Sequence, residues 1–579
     1  MPGKKPESFN EFIANETGTV KKSWTNRIRI ALVYPNQYHV GMSNLGFQTV
    51  YHIFNLIEDV VCERVFLPEK NNQNTGRIIS LESRQPLTSF DIVAFSLSFE
   101  NDYPNILTIL AQAGLPLRSE ARSSPLPLVI AGGVTCYLNP EPLAAFIDLF
   151  LIGEAENLIP AIITCLEKTG LPKNTSKIEI LAALAKQVQG VYVPIFFKPS
   201  YNQDNTLAEF KALGPGPEKI KKVFLTDISQ TKTCSRILTP HTTFDNTFLI
   251  EVSRGCPHGC RFCTAGYIYR PPRFRSVAVL NKLFQEGIAK TNKIGLVGAA
   301  VSDLPGIEEL VSKNISSKLS ISFSSLRADA LSPGLITALK QSHIKTATIA
   351  PDAGSERMRR VINKGITEED VLLATENLVK SGIPNLKLYF MIGLPMEKME
   401  DVEEIITLCK KVKKIFLETS RKRGRMGDIT VSLNSFVPKP FTPFQWAAMD
   451  EIKILKQKIK RVKQGLKNIS NLKVRADVPR KTFIQALFSR GDRKVASILE
   501  LAHKNNGNWP QTFKQTSLNP GFYITRERFP DELLPWDFIE HGLKKSFLVQ
   551  EYQKAKEAKN SPPCPMNAAT CTLCGVCDN

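Results

Sequence analysis

No apolar run in the chain approaches the ~18 residues that a membrane-spanning helix needs. The first residues, Met1-Pro-Gly-Lys-Lys-Pro-Glu-Ser, hold no apolar segment, so no secretory signal is expected there. Internal repeats and long low-complexity stretches are also lacking, which sets aside repeat arrays and biased tails. These absences place the protein in the cytoplasm with no membrane partner. Structural disulfides are not expected in that compartment, so clustered cysteines read first as metal ligands or catalytic thiols. The rest of the composition is ordinary for a globular protein: 579 residues, 42% hydrophobic and 22% charged.

Basic residues outnumber acidic ones, 75 to 55, giving a net charge of +20. A surplus of this size suits a polyanion such as RNA, or simply keeps a large surface soluble. Local basic runs stand at Arg421-Lys-Arg-Gly-Arg425 and Lys458-Ile-Lys-Arg-Val-Lys463. The second has the spacing of a wet helix face, which favours the solubility reading.

After a loose polar leader, residues 1–25, strand-like and helix-like stretches alternate. Arg27–Tyr34, Asp91–Phe99, Leu128–Ala131 and Asp148–Ile152 are expected strands; Met42–Ile57, Asn101–Ala113 and Glu156–Glu167 are expected helices. Such alternation gives an α/β fold, a parallel sheet with helices on both faces. Residues 26–200 are therefore expected to form a Rossmann-like domain. Gly41, Gly132-Gly133 and Gly153 follow strands. Ligand crevices lie at such carboxyl ends, although glycines there can also just make tight turns.

A polar connector covers 201–245, and a second βα series fills 246–478. Its expected strands are Thr247–Val252, Ile294–Val297, Ile321–Phe323, Thr346–Ile349, Leu386–Met391 and Ile429–Leu433, with helices such as Thr367–Ser381 and Glu400–Ile415. Six strands suit a partial (β/α)6 barrel, a relative of the TIM barrel, with its chemistry at the carboxyl ends. Residues 479–579 form a small Cys-rich extension.

Directly after the first of those strands comes Ser253-Arg-Gly-Cys256-Pro-His-Gly-Cys260-Arg-Phe-Cys263. Thiolates spaced Cys-x3-Cys-x2-Cys can take three corners of one iron–sulfur cube, leaving the fourth iron open. A zinc knuckle with His258 as fourth ligand is the rival reading. Four more thiols, Cys564, Cys571, Cys574 and Cys577, close the sequence. Four ligands would close a site, iron–sulfur or zinc, for electron transfer or structure; a disordered terminus is the third alternative. Cys62, Cys136, Cys165, Cys234 and Cys409 are scattered and read as small core residues.

With Phe262 just before its last cysteine, the triplet resembles the signature of the radical S-adenosylmethionine (SAM) superfamily. The resemblance implies a 4Fe–4S cluster on Cys256, Cys260 and Cys263 as the catalytic centre, with SAM chelating the open iron. One electron, from a reductant such as flavodoxin or ferredoxin, would split SAM into methionine and a 5′-deoxyadenosyl radical. Gly298-Ala-Ala300 stands where the family has its glycine-rich SAM-amino motif, without the usual glutamate. Ser324-Ser-Leu-Arg327 stands where polar residues meet the ribose and carboxylate. Ala350-Pro-Asp-Ala-Gly-Ser-Glu-Arg357 has Asp352 where Glu is commoner, and Phe390-Met-Ile-Gly-Leu-Pro395 resembles the segment beneath the adenine. Phe262, Gly298, Ser325, Arg327 and Asp352 are thus the implied SAM-site residues.

The amino-terminal series Val129-Ile-Ala-Gly-Gly133, Pro140-Glu-Pro142 and Gly153-Glu-Ala-Glu156 resembles the cobalamin-binding-like domain that precedes the barrel in part of this superfamily. It implies a corrin crevice at Gly132, Gly133, Gly153 and Glu154, with His39 the nearest histidine. The lower-ligand motif Asp-x-His-x-x-Gly is not met, because Gly41 comes two residues after His39. An empty or substrate-binding crevice is the alternative. Together with Arg490-Gly-Asp-Arg493 and Leu534-Pro-Trp-Asp537, the layout resembles an uncharacterised radical SAM subgroup.

Three readings follow. The first is a radical SAM enzyme that carries out cobalamin-dependent methyl transfer to an unactivated carbon of a substrate the sequence does not name. The second is a cobalamin-independent radical SAM enzyme that modifies RNA or forms a C–S bond with help from the tail site. The third is a non-catalytic iron–sulfur or zinc protein on nucleic acid.

Overall fold

Ile28–Gln37 carries apolar side chains on both faces, and such a strand must be covered on both. The computed structural model describes residues 9–68, 77–123, 125–170, 175–314, 318–324, 326–342, 344–422, 424, 426–565 and 571–577. In it this strand, β1, lies inside a sheet with β2 (Val60–Leu67), β3 (Ile92–Ser96), β4 (Leu128–Gly132), β5 (Leu149–Leu151) and β6 (Val191–Tyr192). The order is β2-β1-β3-β4-β5-β6. Pairings are parallel except for β6, which runs against β5. The chain order reverses between β1 and β3, so a crevice opens at their carboxyl ends.

Strand β2 escapes the sequence pattern because Glu63 and Arg64 interrupt its apolar run. Both charges are buried and paired. Arg64 holds Glu16 at 2.7 Å and Glu82 at 2.6 Å, and the Trp24 indole donates to Glu63 at 2.7 Å. Glu16 and Trp24 belong to the expected loose leader. Its described part, residues 9–25, is instead docked on the sheet, with Phe12 stacked on Tyr38.

The second unit holds two parallel sheets. One is three-stranded, β7 (Phe248–Glu251), β8 (Lys293–Val297) and β9 (Ser320–Phe323); the other is four-stranded, β10 (Thr346–Asp352), β11 (Asn385–Ile392), β12 (Ile429–Ser435) and β13 (Leu472–Ala476). The barrel is open between β9 and β10, as a partial barrel should be, but it has a seventh strand. β13, Leu-Lys-Val-Arg-Ala, buries only its leucine fully and follows a lysine-rich helix, so it reads as polar chain. Along β11, buried residues alternate with half-buried ones.

The extension is a clasp rather than a small appendage. Its strand Ile539–Glu540 pairs with Ile220–Lys221 of the connector. Arg493 reaches Glu141 at 3.0 Å, Asn139 donates to the Gly491 carbonyl at 2.8 Å, and Arg118 meets Glu500 at 2.7 Å. On the barrel side, Trp536 is fully buried and donates to Gln445 at 2.9 Å.

Gly133 has φ +111°, and a Cβ there would fall on the Leu97 carbonyl. Gly114 has φ +72° and open space around it. Gly133→Ala should therefore destabilise by roughly 1–3 kcal/mol beyond the ~1 kcal/mol of Gly114→Ala. Equal melting shifts for the two variants would contradict this packing.

Candidate functional site

The triplet loop leaves β7 through Ser253-Arg254, which pair antiparallel with Arg273-Phe274 and so close the loop at its base. Gly255 turns the chain at φ +90°, with no room for a side chain beneath the Tyr269 carbonyl. Within the loop, the Cys256 N–H donates to the Ala265 carbonyl at 3.2 Å and the Cys263 N–H to the Cys260 carbonyl at 3.0 Å. Cys260 is buried; Cys256 and Cys263 are half-buried. Burial pushes the Cys256 thiol up to about 12 and the Cys263 thiol up to about 11, and neighbouring thiols of the triplet add to both. The three thiols thus lie in poorly solvated surroundings within one loop.

Positive groups gather beside Cys260. Lys364 and Arg327 both act on its thiol, against burial and Asp352. Lys364 is paired with Asp352 at 2.6 Å. Asp352 sits at the irregular end of β10 with φ +62°, which turns its short side chain back toward the loop. Arg327 is held by Asp329 at 2.8 Å and donates to the Lys364 carbonyl at 3.1 Å, so its fork already carries a carboxylate. His258 meets Asp303 at 2.6 Å.

At the end of β8, the Gly298 N–H donates to Ser324 Oγ at 3.1 Å, and that hydroxyl returns to the Gly298 carbonyl at 2.9 Å. A Cβ at Gly298 would fill the space in front of Ser253 Oγ, at 2.6 Å. Ser253 Oγ is itself buried without a hydrogen-bond partner. An orphan hydroxyl beside a side-chain-free backbone is a cradle for a polar ligand group. Phe262 is half-buried against the core. Ser325 lies outside the described residues.

A cavity of about 470 Å3 opens at the carboxyl ends of β3, β4 and β5. Ser96, Gly132, Gly133 and Gly153 line one side; Glu251, Arg254 and Val297 of the barrel line the other. The first unit's crevice therefore faces the strand that carries the triplet. Tyr137 and Tyr269 close the floor with a hydroxyl–hydroxyl bond. His39 is not among the lining residues. It lies exposed on the helix Tyr38–Gly41, so the expectation that it serves the crevice is not met.

Glu154 also departs from its expected role, since its carboxylate is already engaged. It holds Arg254 at 2.8 Å, Arg273 at 2.7 Å and the Leu225 N–H at 2.9 Å. Arg254 further meets Glu156 at 2.8 Å and Glu251 at 2.9 Å. Burial opposes ionisation of Glu154 and Glu251, but the guanidinium groups overcome it and hold both carboxyls below their ordinary range. Sequence reasoning missed this network, although the run Glu-Ala-Glu after a strand and the arginines flanking the triplet were visible.

The four tail thiols line one small cavity of about 80 Å3 together with Gly259, Tyr267 and Arg270 of the triplet loop. Among the described residues, no three His, Cys, Asp or Glu side chains converge on one point as a single metal ion would need. The five scattered cysteines are all buried, as small core residues should be.

Comparison with known proteins decides the family. The radical SAM superfamily model matches residues 250–409, and the model for the N-terminal part of radical SAM proteins matches residues 46–194. An uncharacterised protein of Methanocaldococcus jannaschii is 32% identical over 473 residues, covering 81% of this chain and 90% of its own. The chain belongs to the radical SAM superfamily. It is an enzyme of that class, whose members work with a 4Fe–4S cluster and SAM. An uncharacterised methyltransferase of Pyrococcus horikoshii is 24% identical over 176 residues, 28% of this chain and 37% of its own. Among solved structures, the radical SAM methyltransferase TsrM of Kitasatospora setae aligns with TM-score 0.44 at 11% identity, over 70% of this chain and 72% of that one. The cobalamin-dependent SAM radical enzyme OxsB aligns with TM-score 0.43 at 12% identity, over 92% and 79%. No helix among the described residues is long and apolar enough to cross a membrane.

Two outcomes test the site of this radical SAM enzyme. Replacing Cys256, Cys260 and Cys263 with Ala should remove one cluster's worth of iron from anaerobically reconstituted protein; unchanged iron would contradict the ligand assignment. Glu154→Gln should cost about 3–5 kcal/mol, because it leaves buried guanidinium charge uncompensated. Since folded Glu154 and Glu251 sit below their unfolded values, the stability they carry is present above pH ~4.3 and lost as pH falls. The melting temperature of Glu154→Gln should therefore fall less steeply on acidification than that of the native protein.

Proposed function

We propose that this enzyme is a cobalamin-dependent methyltransferase acting on an unactivated carbon. The observation that supports it most is the placement of the 470 Å3 cavity, which lies between the switch point of the first sheet and the barrel strand bearing the triplet. Apolar Val50, Phe54, Leu158 and Ile159 suit the faces of a corrin, while Asn44 and Ser98 offer hydrogen bonds at its rim. With His39 outside, no described residue lining the cavity offers an imidazole, so a corrin would be held by shape and rim contacts. Bound cobalamin would supply the methyl group. The partial relative named a methyltransferase is consistent with this reading.

The roles of the chain's own residues follow. Cys256, Cys260 and Cys263 would hold the catalytic cluster, with Ser253 Oγ and the Gly298 backbone facing a polar group of SAM. Lys364 and Arg327 would offset the negative charge of the thiolate-bound cluster. Arg254 would fix the loop against the crevice. Cys564, Cys571, Cys574 and Cys577 would hold a second iron–sulfur cluster. A reducing cytoplasm suits a chain whose five scattered cysteines are buried thiols.

Anaerobic protein loaded with iron and sulfide, given dithionite and SAM, should release 5′-deoxyadenosine and retain a corrinoid visible in its absorption spectrum. Release of 5′-deoxyadenosine without corrinoid retention would overturn the cobalamin reading alone. Gly132 offers a further check, since a Cβ there meets only Leu151, at 3.5 Å. Gly132→Leu should lower corrinoid retention at least tenfold while Gly132→Ala leaves it near native. Equal retention in both would place the corrin elsewhere.

A further inference from the structure

The tail is built directly onto the triplet loop. The Cys564 N–H donates to the Pro257 carbonyl at 2.7 Å, and Pro257 is bonded to Cys256. One peptide unit and one hydrogen bond therefore join a tail ligand to a triplet ligand. Gly259 and Tyr267 of the loop also form the wall of the cavity that the four tail thiols line. That cavity, about 80 Å3, has room for several heavy atoms, where a single water needs roughly 10–15 Å3. A cube of irons and sulfides suits it better than one zinc ion.

Arg270 lies between the two ligand sets. Its Nε donates to the Gly266 carbonyl at 2.6 Å, and its guanidinium packs 5.1 Å from the ring centres of both Tyr267 and Phe547. The same guanidinium donates to the Cys574 sulfur and is buried. A buried cation on a cluster ligand favours the state with one more electron. The outer side of the tail is open: Cys571 and Cys577 are half-buried, and Leu573 between them in sequence is 64% exposed. Cys260, by contrast, is buried.

Resting on the reading of the tail thiols as an iron–sulfur site, we propose that this site is the port through which the triplet receives its electron, with Arg270 as a positioning residue that sets its potential. The balance is one electron. An external one-electron donor of flavodoxin or ferredoxin type is oxidised by one and the tail cluster is reduced by one. That electron passes along the Cys564–Pro257 contact to the triplet cluster, where it breaks the carbon–sulfur bond of the SAM sulfonium.

The test uses full-length, anaerobically reconstituted protein. A variant with Cys571, Cys574 and Cys577 replaced by Ser should lose half its iron and keep the triplet cluster. Followed by electron paramagnetic resonance, that cluster should still be reduced fully by dithionite, but at least tenfold more slowly by reduced flavodoxin. Unchanged reduction by flavodoxin would overturn the port, and so would zinc in place of iron in the native tail. Loss of the triplet cluster together with the tail would also overturn it, by making the tail a structural strap. Arg270→Gln should shift the tail cluster's midpoint potential downward, with Arg270→Lys restoring most of it; an unmoved potential would remove Arg270 from the proposal. Release of 5′-deoxyadenosine with dithionite tests the radical reading separately, since that small reductant does not need the port.

Discussion

Arg254 carries its charge into a place where three carboxylates from two units of the fold meet it. Glu154 caps the helix Ala155–Thr169 that follows β5, Glu156 lies in its first turn, and Glu251 is the last residue of β7. Arg273 and Arg275 complete the set, bonding Glu154 and Glu251 at 2.7 Å each. Three positive and three negative groups therefore share one buried seam. Such a network adds little net stability, because desolvation offsets most of its attraction, but its geometry is demanding. Arg254 stands one glycine before Cys256, so this geometry also fixes where the triplet begins relative to the crevice.

The rest of the functional region is arranged around that seam. The crevice opens on one side of it, with Glu251 and Arg254 in its wall. The triplet loop turns away on the other side, toward Lys364 and Arg327. The extension then closes over the loop from outside: Arg261 is fully buried and gives its guanidinium to Glu551 at 3.1 Å and to the Lys559 carbonyl at 2.8 Å. Two units and a clasp thus converge on eight residues of loop.

Much of this was legible in the sequence where the physics is local. Cysteine spacing, glycine after a strand and the alternation of apolar runs each depend on near neighbours in the chain, and they located β1, β3, β4 and the triplet. What stayed hidden depends on distant partners. Strand β2 carries Glu63 and Arg64, which look like surface charges until Trp24, Glu16 and Glu82 meet them. Glu154 stood in the right turn but was given a ligand-binding role, because its two arginine partners lie about a hundred residues on. Lys458 was read as part of a wet helix face. It is buried, held by Glu397 at 2.9 Å and Asp450 at 2.7 Å.

The bond between Arg261 and Lys559 joins positions 298 residues apart. On a ribosome the triplet loop therefore emerges long before the segment that covers it. Until that segment is made, the guanidinium of Arg261 lacks the Glu551 and Lys559 partners that hold it in the folded chain. Arrival of the helix Lys545–Lys556 and the turn after it then shuts the entrance. Closure over the loop therefore depends on a segment made nearly three hundred residues after it, and not on the barrel alone.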